Sequence, residues 1–440
     1  MSNKGKIAPS ILPGFMELLP NDQLAFNKML DSIRESFELC GFVPLDTPVI
    51  EKAEILMAKG GEETERQTYS FKKGDNELAL RFDLTVPFAR YVSQRMNELS
   101  FPFKRYQIGK VFRGERPQKG RFREFYQCDI DIVDRDNLSI AYDAEILSTA
   151  YTTFERLNIG GFLIKINNRK LLAGFIEELG LSEKLGKILR EIDKKDKTGE
   201  ESVRKELDAL GCTSAQVDKL MGYLNTDGTP EKILKVLASY NIKNETFQTG
   251  LNEMEELIKY LGYMNIPAPC WKIDLSIARG LDYYTGTVFE TVLKEYPEFG
   301  SVCGGGRYDN LAEYFTNQKL PGVGVSIGLT RLFDQLSENG LIKNAKVSTS
   351  RVAVLPLGDY FEIAYGFVEN LRNNNIASEV LLAGDGLKKK LSIVSKKGIR
   401  FAAILGENEI KNKVITVKDM ETGKQEEVYF EKIVGFITEA

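Results

Sequence analysis

The sequence predicts an α+β unit built on a mostly antiparallel sheet, interrupted by a helical insertion and followed by a separate C-terminal α/β unit. Three observations carry that prediction. Short β-type runs separated by Gly, Lys and Asn turns crowd residues 70–134; residues 169–262 switch to Leu and Ile at i, i+3 and i+4 with many Lys/Glu pairs; strand-like and helix-like runs alternate from residue 351 onward. At 440 residues the chain has room for roughly three domains. The expected spans are 1–168 and 263–338 for the two parts of the sheet unit, 169–262 for the insertion, 339–350 for a linker and 351–440 for the last unit.

Taken in order, NDQLAFNKMLDSIRESFEL, just before Cys40, has apolar residues at helical spacing behind an Asn-Asp cap. In GFVPLDTPVIEKAEIL, Pro44 and Pro48 stop helix continuation and the Val/Ile/Leu content predicts an extended segment. TYSF near residue 70, ELALRFDL near 80 and FKRYQIGKVFR near 108 read as strands, and from Phe125 to Val133 side-chain type alternates, the pattern of a strand with one working face. RKLLAGFIEELGLSEKLGKILREID opens the helical insertion and QTGLNEMEELIKYLGYM closes it. The sheet then resumes at WKIDLSIARGLDYYTGTVFETVL, followed by a Gly-rich turn SVCGGGRYDN, a Gly/Val run LPGVGVSIG and a helix TRLFDQLSEN. Past a polar linker, strands RVAVLPLG, ASEVLLA and RFAAILG alternate with helices EIAYGFVENLRNNN and LKKKLSIVSKKG, and KVITVKDMETGKQEEVYF reads as a hairpin.

Composition narrows the function classes. Apolar residues at 42% and charged residues at 28% exclude a disordered or collagenous chain. With 59 basic and 63 acidic side chains the formal charge is only −4, which excludes a histone-like polycation without excluding a local basic patch. Residues 351–440 hold 13 of each sign, so the whole deficit lies on the first 350. Histidine is absent, where about ten would be ordinary for this length. That removes imidazole-based triads, His-containing zinc sites and the usual neutral-pH switch. Cys40, Cys128, Cys212, Cys270 and Cys303 are odd in number and lack a CxxC pair, so they read as reduced thiols. The N-terminal residues lack the apolar core of a signal peptide, and no apolar run reaches membrane-spanning length; the expected location is the cytoplasm, away from membranes.

Three segments can carry chemistry. Between Phe103 and Asp134, Lys104, Arg105, Lys110, Arg113, Arg116, Lys119, Arg121 and Arg123 put eight cations within twenty residues. Guanidinium forks suit phosphate, while a solvated basic hairpin explains the same run; periodicity alone does not settle where Arg113 points. Gln127, Asp129 and Asp131 alternate with Cys128, Ile130 and Ile132 and share one face, either solvated or lining a pocket for a cationic or amine-bearing ligand. IARGLDYYTGTVFE combines Arg279, Asp282, Tyr283 and Tyr284 with Gly280 and Gly286, and adjacent tyrosines in a strand face opposite ways, so one can be core while the other lines a site. GGGR at 304–307 and GVGVSIG at 322–328 fit neither a P-loop nor a dinucleotide fingerprint and read as closely packed thin strands.

These segments resemble class II aminoacyl-tRNA synthetases, and specifically the histidyl-tRNA synthetase family, over essentially the whole chain. ARGLDYYTGTVFE and SVCGGGRYDNL resemble that family's own signatures; LRFDLTVPFARYV and KVFRGERPQKGRFREFYQCDIDI resemble its substrate-binding segment and class motif 2; TPVIE is similar to motif 1. GVGVSIGLTRL resembles motif 3 with one departure, Thr330 in place of the acidic residue common before the arginine.

The resemblance implies activation of L-histidine with ATP to histidyl-adenylate, then transfer to the 3′ end of histidine tRNA, with Mg²⁺ neutralising the β- and γ-phosphates. It implies that Arg113 and Arg279 act on the α-phosphate and reacting carboxylate, that Glu115, Phe125 and Arg331 serve ATP, that Asp83, Thr85 and Gln127 surround the α-ammonium, and that Asp131, Tyr284 and the adjoining Tyr283 build the side-chain pocket. No metal ligand is assigned among the protein side chains. The last unit resembles an anticodon-binding domain, with Lys388, Lys389, Lys390, Lys396, Lys397 and Arg400 as tRNA-phosphate candidates, a solvated helix face being the other explanation. Motif 1 implies a homodimer. The alternative is the synthetase-like regulatory subunit of ATP phosphoribosyltransferase, which typically lacks both the ARGLDYY-type set and the anticodon-binding domain.

Overall fold

A computed structural model describes residues 8–58, 62–116, 120–277, 283–342, 347–384 and 386–439, side chains at 62, 63, 196 and 197 excepted. The chain divides into two compact units, Met1–Met16 with Met29–Leu341 and Glu17–Lys28 with Ile342–Ala440.

The helix Pro20–Leu39, whose residues from Met29 onward belong to the larger unit, leads into two very short strands, β1 (Val43–Pro44) and β2 (Ile50–Lys52). The extended segment expected at 41–56 is thus mostly loop, because its prolines limit pairing, and from Ala53 the chain turns helical. β3 (Ser70–Lys73) and β4 (Asn76–Leu80) form a hairpin that pairs with β2 in a three-stranded sheet of its own. After β4 the apolar run becomes the helix Thr85–Arg95, which tolerates Pro87 because the proline sits in the first turn, where no intrahelical N–H partner is lost.

The main sheet has eight strands. β5 (Phe103–Phe112) and β6 (Glu124–Val133) are its long hairpin; β7 (Phe162–Asn168), β8 (Trp271–Ile273), β9 (Thr287–Leu293), β10 (Cys303–Tyr308) and β11 (Gly322–Gly328) complete it in the order β1-β5-β6-β11-β10-β9-β7-β8. Only β1–β5 and β7–β8 are parallel, as the short-run pattern predicted. One expectation is corrected: CGGGRY is not a turn but strand β10, paired on both sides. A Cβ on Gly305 would lie 2.1 Å from the Gly324 carbonyl oxygen, so glycine is the side chain this close approach admits.

Between β7 and β8 the described backbone is helical, from Arg169–Glu178 to Glu245–Tyr263. Asn168 and Asn244 cap these two helices, each side chain accepting a backbone N–H two or three residues on. The pair crosses at small residues: a Cβ on Gly174 would stand 2.5 Å from the Phe247 nitrogen, and one on Gly250 would stand 2.8 Å from the Leu171 nitrogen.

The smaller unit carries β12 (Val352–Pro356), β13 (Ser378–Val380), β14 (Phe401–Leu405), β15 (Val414–Asp419) and β16 (Gln425–Tyr429) in the order β13-β12-β14-β15-β16. β12 is parallel to β13 and β14; the rest is antiparallel. Alternation along β12 sends Val352 and Val354 into one core and Ala353 and Leu355 into another, so both faces of the sheet are covered.

Gly174→Ala must push the crossing helices apart and is expected to cost about 1–3 kcal/mol, as overpacking of a close core does. The check is the urea midpoint of the purified variant against the parent; an unchanged midpoint would contradict the crossing.

Candidate active site

The site forms where β6 and β11 run side by side. Strand alternation puts Gln127, Asp129 and Asp131 on one face, and these three pair in register with Gly328, Ser326 and Gly324 of β11. A Cβ on Gly324 would fall 2.1 Å from Asp131 Oδ1 and one on Gly322 would fall 2.3 Å from the Tyr308 ring. The glycines of GVGVSIG therefore vacate the space that an acid and a phenol fill. A cavity of about 540 Å³ opens on this face.

Its floor is charged and almost dry. Asp83, Asp129 and Asp131 are 6%, 2% and 3% exposed, and Arg105, behind them, is fully buried. Asp131 has both oxygens engaged: Oδ2 pairs with Arg105 at 2.6 Å, and Oδ1 accepts the Tyr308 hydroxyl at 2.7 Å. Burial is the main reason its pKa is pushed up to about 6, with Arg105 and Tyr308 pulling it down. Asp129 is pushed higher, to about 7, first by burial, then by Asp131 and Asp83 against the attraction of Arg105. Ser326 hydrogen-bonds to the Asp129 carboxyl group, yet its Oδ1 has no partner among the described residues. The Gln127 amide donates to Ser326 Oγ at 2.7 Å, and its Oε1 is likewise buried without a partner. Asp83 accepts the Val86 N–H at 3.0 Å at the start of the helix Thr85–Arg95, and burial still outweighs that bond and raises its pKa.

Opposite this floor sits the guanidinium of Arg113, between the rings of Phe82 and Phe125 at 4.4 and 5.1 Å, with Nε donating to the Phe82 carbonyl at 3.2 Å. Its direction, undecided by periodicity, is into the cavity. The Glu115 carboxylate pairs with Arg121 at 3.2 Å, and Arg331 donates from Nη2 to the Phe299 carbonyl at 2.5 Å. Thr330, where an acidic residue is common in the motif, accepts the Tyr126 N–H at 2.8 Å and so fastens the helix Leu329–Glu338 to β6. The departure carries a structural bond of its own.

Arg113, Asp83, Thr85, Gln127, Asp131, Tyr283, Tyr284, Glu115, Phe125 and Arg331 all line this one cavity. Arg279, Asp282 and Lys119 lie outside the described residues. Tyr283 and Tyr284 do not divide between core and site: both reach the cavity, their rings 4.8 Å apart, because the chain there turns before β9 rather than running as a strand. Sequence reasoning missed Arg105, Tyr308 and Ser326, and left Asp129 unassigned. The alternation of residues 127–131 was the signal for Asp129; none marked Arg105, which looks like any other cation of its run.

In the smaller unit the basic cluster is not uniform. Lys388, Lys389 and Lys396 are exposed, whereas Lys390 is buried and donates to the Leu381 carbonyl, Lys397 pairs with Glu379 at 2.6 Å, and Arg400 pairs with Asp419 at 3.3 Å. Among the described residues no group of three or more acids or thiols converges as a metal site, and no helix is long and apolar enough to cross a membrane.

Comparison with known proteins agrees with this geometry. A family model described as histidyl-tRNA synthetase matches residues 14–332, and one described as an anticodon binding domain matches 351–440. The chain is 54% identical to a histidine–tRNA ligase of Clostridium tetani over 99% of its own length and 100% of the relative's. It is similar to the crystal structure of a histidyl-tRNA synthetase from Nostoc sp. PCC 7120, with TM-score 0.91 and 38% identity, covering 99% of this chain and 100% of that one. A Bacillus halodurans structure described as an ATP phosphoribosyltransferase regulatory subunit/histidyl-tRNA synthetase shares the fold, with TM-score 0.75 at 20% identity over 91% of this chain and 99% of that one. A cavity walled by described residues of motif 2, by Tyr283 and Tyr284 and by the glycine-rich strands, in a chain matched end to end by such relatives, makes this chain a member of the histidyl-tRNA synthetase family.

Proposed function

We propose that this chain activates L-histidine with ATP and transfers the histidyl group to the 3′-terminal adenosine of histidine tRNA, and that the cavity over β6 is where activation occurs. The histidine carboxylate attacks the α-phosphorus: a carboxylate O–P bond forms while the bond from that phosphorus to the α–β bridging oxygen breaks, its electron pair leaving on pyrophosphate. No protein nucleophile is needed, so a chain without histidine can do it by positioning and charge stabilisation. The single observation that carries this reading is the convergence of Arg113 with the buried carboxylates of Asp83 and Asp131 and the Tyr284 phenol in one cavity.

In this reading Arg113, held by two rings and a carbonyl, grips the α-phosphate and reacting carboxylate, joined by Arg279. Phe125 and Arg331 hold adenine and the phosphate tail, with Glu115 beside the nucleotide. Asp83, Thr85 and Gln127 receive the α-ammonium; the orphaned Gln127 Oε1 is an acceptor in want of a donor. Asp131 and Tyr284 face the imidazole, whose two in-plane nitrogens need two partners. A site that loses those hydrogen bonds to an apolar side chain rejects it strongly. Mg²⁺ is a hard ion that enters on phosphate oxygens with one or two carboxylates, and Glu115 and Glu290 are the candidate carboxylates on the ATP side. When bound it would offset phosphate charge.

The smaller unit is proposed to bind tRNA, with Lys388, Lys389 and Lys396 the cations free to meet phosphate. Exposed Val49 and Ile50 in the motif 1 segment support a homodimer through that edge. Five free cysteines support a reducing compartment, the cytoplasm. The regulatory-subunit alternative is disfavoured by the anticodon-domain match over 351–440.

Histidine-dependent ATP–pyrophosphate exchange is the direct test, and its absence in the intact protein would overturn the proposal. Tyr284→Phe should raise the KM for histidine about tenfold with the KM for ATP within about twofold, the loss of one hydrogen bond in a specific pocket. Gly324→Ala should do the same or worse, since the new Cβ displaces Asp131; equal effects on both substrates would contradict the assignment. Deleting residues 351–440 should leave exchange within about threefold and cut tRNA charging at least about a hundredfold, the phosphate-contact contribution.

A further inference from the structure

The buried floor of the cavity has one carboxylate more than its own cations and helix contacts account for. Asp131 is matched by Arg105, with the Tyr308 hydroxyl on its other oxygen. Asp83 rests against the first N–H groups of a helix and faces the place of the α-ammonium. Asp129 has the Ser326 hydroxyl and an Oδ1 with no hydrogen-bond partner among the described residues, at 2% exposure. A carboxylate so placed is costly unless it takes a proton or a cation comes to it.

We propose that the site binds the ring of its substrate as a doubly protonated imidazolium, and that Asp129 is the specificity-determining residue that selects this charge. The proposal rests on the reading of the cavity as a histidine site and deepens it. The groups that act on Asp129 are Arg105 of β5, Asp131 of its own strand, Cys303 of β10, Asp83 and Arg113 of the flanking loops, and Tyr284 above. Of the arginines lining the cavity, Arg113 and Arg331 are committed to the phosphate side and Arg121 is paired with Glu115, and Arg105 behind the floor is already paired, so the substrate must bring the missing charge. With Arg113 on the phosphate side, where it also meets the substrate carboxylate, the three floor acids against Arg105 alone leave two negative charges; the α-ammonium meets one, so a neutral ring leaves the floor net negative and a cationic ring closes it.

The pKa of Asp129, near 7 through burial, fits a group that shares its proton with solvent in the open pocket and ionises when a cation arrives. Free imidazole titrates close to the same pH, so the proton the ring takes up from water costs little at neutrality. Asp129 lines the cavity with its Oδ1 unmet among the described residues, so it is placed to act on a ring seated over the floor.

The test uses the intact protein and histidine labelled with ¹⁵N in the ring. Because the chain contains no histidine, every imidazole signal belongs to the ligand. At pH 8 the bound ring should show two protonated nitrogens; one protonated and one pyridine-type nitrogen would overturn the inference. In exchange assays, β-(1,2,4-triazol-3-yl)alanine, of the same shape but protonated only in acid, should be used at least about thirtyfold less efficiently than histidine, and Asp129→Asn should shrink that gap about tenfold by losing activity on histidine alone. An unchanged gap in a folded Asp129→Asn protein overturns the proposal. If that variant does not fold, the spectrum of the parent protein decides by itself. Absence of any histidine-dependent exchange in the parent would overturn the underlying function, whereas normal exchange with a neutral bound ring overturns this inference alone.

Discussion

Burying Arg105 against Asp131 is the constraint around which the larger unit is arranged. An arginine out of water requires a carboxylate at hydrogen-bond distance, and the pair sits in register across β5 and β6, where the hairpin places the two residues opposite each other. Once that pair is fixed, the next strand must yield: β11 carries Gly324 where any side chain would strike Asp131, and Gly322 where it would strike Tyr308. Tyr308 in turn comes from β10, whose own glycines let it lie flat against β11. A glycine-rich pair of strands, poor material for a sheet by propensity, is retained because bulk is excluded there by the acid and the phenol.

The division of labour in the cavity follows from charge. The floor is acidic and dry, suited to groups that bring protons and positive charge. The mouth is lined by Arg113 and Arg331, suited to phosphate. Arg113 is confined between two aromatic rings and a backbone carbonyl, so its fork is oriented before any ligand arrives. A reaction in which the substrate's own carboxylate is the nucleophile asks for this kind of fixed electrostatics and for no imidazole.

The smaller unit obeys different rules. Its sheet is covered on both faces, and its basic helix spends much of its charge internally: Lys390 holds a carbonyl, and Lys397 answers Glu379. A run of lysines in sequence therefore overstates the charge offered to a partner. Only the position of each side chain around the helix says which cations face water.

Much of the architecture was legible in the residues. The switch to a 3.6-residue period at 169, the alternation from Phe125 to Val133 and the βα pattern after 351 are local regularities, and local regularity is what a sequence states directly. The motifs that mark the family are likewise contiguous strings. The glycine run at 303–308 misled toward a turn, because nothing local distinguishes glycine required by a neighbouring strand from glycine required by a bend. Tertiary structure alone decided that Arg105 is buried while Lys104 beside it is not, that Asp131 has a protein partner on each oxygen while Asp129 Oδ1 has none among the described residues, and that Tyr283 and Tyr284 both reach one cavity. Those outcomes depend on contacts between segments far apart in the chain, where burial and the pairing of charges are settled by geometry that no short stretch of sequence contains.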